Sequence, residues 1–398
     1  MCEVTPSGTI TSVPGFHAGA AQSGIRTKNR LDLAILYSEV PCVAAGVFTT
    51  NQIKSSPVVL SREHLSRGRV QAVVANSGCA NACVGEQGLA DAREMAQLVA
   101  GKLGIRPNDV LVASTGVIGT RLPMDRVQIG IRDVELRANG GHDFARAIMT
   151  TDTNPKEVAV SVDVGGTEIA IAGVAKGSGM IHPDMSTMLA FVATDASIHA
   201  GFLQAALKQA VDVSFHMISV DGETSPSDCV FLLANGRAGN DTIGFDNGGV
   251  FQQALSEVCL HLARSVARDG EGATKMIEVV VEGARQQSSA RQAARTIVSS
   301  PLVKAAIHGS DPNWGRIVTA LGRSGAEVME EKLDVYLNDI NVMKQGHVVP
   351  VGREKLQASL QNSTVSIRLH LNLGDGTATA WGCDLSEEYV TINSAYTT

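Results

Sequence analysis

The sequence of 398 residues lacks long apolar runs and clusters of basic residues. No apolar run approaches the roughly 20 residues that a transmembrane helix needs, and the N-terminal MCEVTPSGTITSV has no basic region followed by an apolar one, as a signal peptide would. Lys and Arg are scattered and the net charge is −7, so a nucleic-acid interface is not expected either. We therefore expect a cytoplasmic protein that acts on small molecules, with neither a membrane nor a nucleic acid as partner.

Cysteines and aromatic residues are also few. The seven cysteines, an odd number and widely spaced, indicate no disulfide framework and favour a reducing compartment. Cys79 and Cys83 form the one close pair, but a CxxxC motif without a second pair or a nearby histidine is a poor zinc motif, and we predict no metal. Aromatic residues make up only 4%, whereas the 40 glycines indicate many tight turns and close backbone approaches.

The apolar pattern alternates between strand and helix spacing, which predicts an α/β protein. The length allows two or three domains or one large α/β unit. Two alternating segments around Gly165-Gly166 predict a hairpin that delivers the chain to Lys176. The expected strands lie at 33–37, 43–48, 70–75, 110–113, 158–164, 168–174 and 335–342, and a helix is expected at 88–103.

A loop and an apolar run meet at Thr187, within the segment KGSGMIHPDMSTMLAFVATDA (176–196). Gly-rich and Pro-Asp turns precede Ser186-Thr187, and a buried strand is expected over 188–193. A hydroxyl between a loop and a rigid strand lies where functional side chains are frequent. By itself this weakly supports Thr187 as a nucleophile. His182, in the same loop, is expected to be a solvated histidine and not a general base.

Several other segments combine glycine or proline with hydroxyl, carboxylate or amide side chains. Taken alone, most of them are explained well by structural turns and helix ends. In STGVIG a hydroxyl and a backbone N–H follow a strand side by side, which is also what an oxyanion needs. MISVDGETSPSD (217–228) is interpreted as structural. The remaining segments are STGVIG (114–119), TTDTNPK (150–156), DGEGATK (269–275) and the C-terminal YVTINSAYTT (389–398).

Five motifs, in order along the chain, resemble those of the ornithine acetyltransferase family, also called glutamate N-acetyltransferase, of arginine biosynthesis. They are STGVIG, TTDTxPK, KGSGMIxPxMxTMLAF, DGEGATK and the closing YVxINxxY. The resemblance spans nearly the whole chain. Three positions depart from the family pattern, because Cys79 replaces Asn, Ser186 replaces Ala and Thr397 replaces Arg. The fold that it implies is a layered α/β sandwich of the self-processing ornithine acetyltransferase type.

The resemblance implies that the protein cuts its own chain at the Ser186–Thr187 bond. The products would be residues 1–186 and residues 187–398, and two copies of each would form a heterotetramer. Thr187 would then begin the second chain and act as the nucleophile, with its own α-amino group as the base. The implied reaction is ping-pong, in which N2-acetylornithine acetylates Thr187 and glutamate then takes up the acetyl group.

The resemblance also implies the other site residues. Thr115 and Gly116 would form the oxyanion hole. Lys176 would pair with an acidic substrate group, and Glu271 with the amino group of ornithine or glutamate. No metal and no bound cofactor is required. In full, the substrate-binding residues would be Thr153, Lys176, Thr187, Glu271, Asn393 and Thr398.

Three alternatives stay open at this point. Some family members also acetylate glutamate from acetyl-CoA, and no residue identifies acetyl-CoA as a second donor here or excludes it. Self-processing aminopeptidases share the autocleavage chemistry with water as acceptor, although Lys176 and Glu271 favour an amino-acid acceptor. A non-enzymatic binding protein would require Thr187 to be only a strand-initiating residue, and its support is confined to the three departures from the family pattern.

Overall fold

The computed structural model describes residues 3–26, 30–182 and 188–395. Over these ranges the chain forms a nine-stranded and a seven-stranded sheet. The strands are β1 (Glu3–Val4), β2 (Phe16–Ala21), β3 (Leu33–Phe48), β4 (Val70–Cys79), β5 (Val110–Val117), β6 (Lys156–Val164), β7 (Thr167–Lys176), β8 (Leu189–Thr194), β9 (Ile218–Ser219), β10 (Cys229–Ala234), β11 (Met276–Ala284), β12 (Asp334–Leu337), β13 (Ile340–Lys344), β14 (His347–Val348), β15 (Thr364–His370) and β16 (Gly376–Cys383).

Eleven α-helices lie within the described ranges. All of them are too short or too polar to span a membrane. The helices are α1 (Ser56–Leu65), α2 (Gly85–Leu103), α3 (Met124–Asp133), α4 (Gly141–Ala147), α5 (Ala200–Val213), α6 (Gly249–Arg268), α7 (Gln287–Val298), α8 (Pro301–His308), α9 (Trp314–Gly322), α10 (Arg353–Ser359) and α11 (Glu387–Ala395).

The long strand β3 belongs to both halves of the first sheet. Its first part pairs with β2 and β4, whereas its last part, 43–48, pairs with β10. The ladder with β4 shifts register between Tyr37 and Cys42. The prediction of two separate strands at 33–37 and 43–48 is therefore wrong. The polar stretch between these apolar segments contains a proline, and it is accommodated as an irregularity within one continuous strand.

The two halves of this sheet face each other across an apolar cluster. Leu36 and Val73 contribute from the half that contains β2 to β5, and Phe191 and Phe231 contribute from the half that contains β7, β8 and β10. The Phe191 ring lies 5.2 Å from that of Phe144 in α4, edge to face, and 5.9 Å from that of Phe231. Burial of these faces against each other gives the first two layers of a sandwich.

Helices and the second sheet complete the layers. α1, α2 and α3 share an apolar cluster with β3, β4 and β5. α5 and α6 pack on the other half of the first sheet, and α6 also reaches β16 in the second sheet, on which α7 packs. The layered α/β sandwich is thus confirmed. The strand predicted over 335–342 is wrong in one respect, since a turn with Asn338 at φ +50° divides it into β12 and β13.

The hairpin β6–β7 is confirmed and ends at the candidate site. Gly165 and Gly166 form its turn with φ of +64° and +86°, a conformation that glycine adopts without strain. Lys176 is the last residue of β7, and it lies opposite Leu189 in the antiparallel ladder with β8. The residues on both sides of the undescribed segment 183–187 are therefore brought to the same end of the sheet.

The STGVIG motif starts inside a strand and not in the turn that the sequence predicts. β5 includes all of 114–116 and pairs in parallel with β4, so that Ser77 lies opposite Thr115 and Gly78 lies opposite Gly116. Gly116 has φ +132°, and a Cβ at this position would lie 2.3 Å from the carbonyl carbon of Gly78. Glycine therefore lets the strand continue past Thr115 while the two backbones lie in close contact.

The aromatic contacts between the half-sheets predict a large loss of stability for Phe231→Ala. Phe231 is completely buried and its ring packs against Phe48 and Phe191 at 5.8 and 5.9 Å. Truncation should lower the free energy of unfolding by about 3–5 kcal/mol, measured by urea unfolding. Phe245→Ala is the matched control, because Phe245 is 70% exposed. Equal losses in the two variants would contradict this account of the core.

Candidate active site

Five of the predicted site residues line one cavity of about 130 Å³. They come from distant parts of the chain: the end of β5, the end of β7, the loop after α6 and the C-terminal helix α11. Four further hydroxyl residues line the cavity, namely Thr150, Thr151, Ser225 and Ser227. The structure therefore brings together the predicted oxyanion and substrate groups, which are Thr115, Gly116, Lys176, Glu271 and Asn393.

Lys176 is only 1% exposed, and its ammonium group is aimed at Thr115. Its Nζ lies 3.3 Å from Thr115 Oγ1. Burial lowers the pKa of Lys176, an effect that the negative charges of Asp152 and Asp228 oppose. Charges on neighbouring loops therefore favour the ammonium form of Lys176 against the cost of its burial.

Asp152 lies beside the candidate site, and the sequence patterns do not single it out. Its Oδ1 accepts hydrogen bonds from Lys156 Nζ and from the backbone N–H of Gly177, both at 2.6 Å. Burial would raise its pKa, but the charges of Lys176 and Lys156 and these hydrogen bonds bring the pKa down to about 2. The sequence signal for this ion pair is a carboxylate followed by a lysine four residues later. A turn in TTDTNPK explains the same two residues equally well, so the spacing does not single out Asp152.

Lys156 links Asp152 to the loop that carries Glu271. Its Nζ lies 2.6 Å from Asp152 Oδ1 and 2.6 Å from Asp269 Oδ2, and all three side chains are largely buried. The Ser178 hydroxyl donates to the Asp269 carbonyl oxygen at 2.6 Å. This ion cluster, defined as Asp152, Lys156 and Asp269, therefore holds the ends of β7 and α6 together.

The Glu271 carboxylate is positioned by α11. Asn393 Nδ2 donates to Glu271 Oε2 at 2.7 Å, and the Glu271 N–H donates to the Ser178 carbonyl oxygen at 2.9 Å. Gly179 lies against this carboxylate, since a Cβ there would be 2.4 Å from the nearest carboxyl atoms. The C-terminal helix thus reaches the cavity, and among the described residues none is seen to donate a hydrogen bond to the other carboxylate oxygen of Glu271.

Thr153 lies outside this cavity. Its N–H donates to Asp269 Oδ2 at 3.0 Å and its hydroxyl donates to Asp269 Oδ1. It lines a separate cavity of about 430 Å³, together with Arg268. The structure therefore does not bring Thr153 to the other five residues, and its substrate contact stays a prediction. The predicted positions Ser186, Thr187 and Thr398 lie outside the described residues.

The segment 217–228, interpreted from sequence as structural, borders the site. The Asp221 carboxylate accepts hydrogen bonds from the N–H groups of Met180 and Ile181 at 2.6 and 2.9 Å. Asp228 Oδ1 accepts from the Met188 N–H at 2.9 Å, and burial raises the pKa of Asp228 well above its ordinary value. These two carboxylates hold the chain on either side of 183–187.

His182 also differs from expectation. It is half-buried, and its Nδ1 lies 3.1 Å from Ser219 Oγ. It is therefore less exposed than the solvated loop histidine that the sequence predicts, because β9 approaches the loop.

Comparison with known proteins matches residues 17–398 to the model of the ArgJ family. The chain belongs to the ArgJ family. It is 54% identical over 400 residues to the arginine biosynthesis bifunctional protein ArgJ of Dehalococcoides mccartyi, covering 100% of this chain and 99% of that protein. The ArgJ protein of Symbiobacterium thermophilum is 52% identical, covering 98% of this chain and 99% of that protein.

A solved ArgJ structure is also similar. The crystal structure of the ArgJ protein of Bacillus halodurans aligns with a TM-score of 0.51 at 45% identity, covering 52% of this chain and 98% of that chain. The resemblance to a family of arginine biosynthesis enzymes is therefore confirmed. The family match includes every predicted site residue, from Thr115 to Thr398.

The ion cluster predicts a specific pH dependence of stability. Folding lowers the pKa of Asp152 from 3.8 to about 2. The ionised carboxylate therefore adds to the free energy of unfolding above pH 3.8, and this stabilisation is lost as the pH falls towards 2. Between pH 5 and pH 3 this loss amounts to about 1 kcal/mol. Asp152→Asn cannot titrate, so its unfolding free energy should fall by about 1 kcal/mol less than that of the wild type over this range.

Urea unfolding at each pH measures this difference. Asn154→Ala is the control, because it removes a neighbouring polar group that does not titrate, and it should keep the wild-type pH dependence. The same pH dependence in wild type and Asp152→Asn would show that the Asp152 carboxylate is not specially stabilised in the folded protein.

Proposed function

We propose that the chain transfers the acetyl group of N2-acetylornithine to glutamate through an acetyl-Thr187 intermediate, after self-cleavage at Ser186–Thr187. As a member of the ArgJ family, it is an acyltransferase of arginine biosynthesis. The proposal for the reaction rests mainly on one cavity, which is lined by the predicted oxyanion pair, a buried lysine and a carboxylate that hydrogen-bonds to Asn393. These groups are matched to an acyl group carried by an amino acid.

Self-cleavage would supply both the nucleophile and its base. A threonine hydroxyl is a weak nucleophile near neutral pH, whereas an α-amino group has a pKa of roughly 7.7–8.0 and can accept its proton. Once residue 187 is N-terminal, the amine and the hydroxyl lie on one residue, so neither a histidine nor a metal is needed. Met188, the next residue, is fixed through its N–H by Asp228. The reacting residue thus precedes a rigid strand.

Thr115 and Gly116 would stabilise the tetrahedral intermediates. Attack of Thr187 Oγ on the acetyl carbonyl forms a C–O bond and an oxyanion, and collapse releases ornithine, whose amino group takes up a proton. The amine of glutamate then attacks the acetyl-threonine, and the threonine oxygen leaves. A hydroxyl and a backbone N–H aimed at the oxyanion contribute to both steps, at roughly 2.7–4 kcal/mol for one donor.

Glu271 would bind the α-nitrogen that both substrates share, which is an amide N–H in N2-acetylornithine and an amino group in ornithine and glutamate. Asn393 holds one oxygen of its carboxylate, which orients the other. A charge-assisted hydrogen bond to a fixed carboxylate is stronger than a neutral one. We further propose acetyl-CoA as a second acetyl donor, in line with the word bifunctional in the relatives' names. No bound cofactor is part of the proposal, and the cleaved chains are proposed to assemble as a heterotetramer.

Intact-mass spectrometry of freshly purified protein tests the proposal. The wild type should give two chains, and N-terminal sequencing should place the start of the second at Thr187. Thr187→Ala should remain a single chain of 398 residues and form no N-acetylglutamate, because it lacks the hydroxyl. Thr187→Ser is the matched control, since it keeps the nucleophile and should still cleave. An uncleaved wild-type chain that nevertheless transfers acetyl groups would contradict the proposed mechanism.

A further inference from the structure

The contact between Lys176 and Thr115 has a defined direction. A lysine ammonium group carries three donors and no acceptor, so Lys176 must donate and Thr115 Oγ1 must accept across their 3.3 Å contact. The proton of the Thr115 hydroxyl is then directed away from Lys176. With Thr115 itself only 1% exposed and lining the cavity, that proton is available to a group bound in the cavity.

Four charged groups act on the Lys176 ammonium. Asp152, before β6, and Asp228, before β10, raise the pKa of Lys176, whereas Lys156, at the start of β6, and Arg26, after β2, lower it. Of the two carboxylates, Asp152 also binds the backbone beside Lys176, because its Oδ1 accepts from the Gly177 N–H at 2.6 Å. Asp152 therefore both fixes the end of β7 and balances the buried charge there.

We infer that Asp152 is a positioning residue for acetyl transfer: acting through Lys176, it sets the direction in which the Thr115 hydroxyl donates to the oxyanion. Asp152 itself contacts neither the substrate nor the reacting atoms in this role, and no bond to it forms or breaks. The inference rests on the proposed function, and it attributes the pH-dependent effect of Lys176 on the rate to its contact with Thr115 and not to a contact with substrate.

The pH dependence of the rate distinguishes this role from a structural one. Burial lowers the pKa of Lys176, and the charge of Asp152 opposes that shift. We expect kcat/KM to fall at alkaline pH as Lys176 loses its proton, and this fall is the alkaline limb of the pH profile. Asp152→Asn should lower the pKa of Lys176 further and so move the alkaline limb to lower pH by about one unit or more. At alkaline pH its kcat/KM should be about tenfold below that of the wild type, and the deficit should shrink as the pH falls.

The measurement is N-acetylglutamate formation against pH, normalised to the cleaved fraction of each variant. Asp269→Asn is the matched control, because Asp269 contacts Lys156 but is not among the charges that act on Lys176. Its alkaline limb should stay at the wild-type position. A limb that is unmoved in Asp152→Asn would overturn the inference. A wild type without transferase activity at any pH would instead overturn the proposed function, and the inference with it.

A second comparison avoids the ion cluster, in case Asp152→Asn does not fold. Thr115→Ser keeps the hydroxyl that Lys176 contacts, whereas Thr115→Val removes it with little change in volume. The alkaline limb should persist in Thr115→Ser and disappear in Thr115→Val, because Lys176 would have no hydroxyl to orient. If all variants fold, the double variant with Thr115→Val and Asp152→Asn should have the same pH profile as Thr115→Val alone. An alkaline limb that is retained in Thr115→Val would contradict the inference.

Discussion

Buried charge at the ends of β6 and β7 organises the candidate active site. Lys156 bridges Asp152 and Asp269 at 2.6 Å on each side, and Lys176 lies sealed beside them. Removing one partner of a buried ion pair typically costs about 3–5 kcal/mol, because the other charge is left uncompensated. The loop before β6, the end of β7 and the end of α6 are therefore held in one arrangement, and the cavity lies against it.

The folded first sheet explains why these groups meet. β3 runs through both halves, so β5 belongs to one half and β7 to the other. The contact from Lys176 to Thr115 joins the two halves at one edge of the sandwich. Thr115 and Gly116, the predicted oxyanion pair, thus lie in one half, and β8 lies in the other. The architecture therefore brings the start of β8 and the end of β5 to the same edge of the sandwich.

Local patterns predicted local structure well, and contacts between distant segments poorly. The hairpin around Gly165-Gly166 and the position of Lys176 at its end follow from alternation and turn chemistry alone. The continuity of β3 does not, because a proline and polar residues within it look like a loop until two partner strands pair across them. The extension of β5 through Gly116 depends on the close backbone of Gly78, which no local pattern reveals.

The same limit applies to the site. Thr115, Gly116, Glu271 and Asn393 were predicted from motifs that resemble a family, not from their spacing. That all four line one cavity is seen only in the structure, because they lie far apart in the sequence. Asp152 was missed because its partners Lys176 and Asp269 approach it only in the fold, while a turn explains it locally. The interpretation of 217–228 as structural agrees with the hydrogen bonds of Asp221 and Asp228 to backbone groups far along the chain, but the sequence did not predict that this segment borders the cavity.

The most direct test of the account is to trap the acetyl-enzyme. The wild-type protein would be incubated with N2-acetylornithine in the absence of glutamate, quenched in acid and digested for peptide mass spectrometry. The account predicts release of about one ornithine per site, together with an acetyl group on the peptide that begins at Thr187. Ornithine release only when glutamate is present, with no acetylated peptide, would show direct transfer between the substrates and would contradict the central claim.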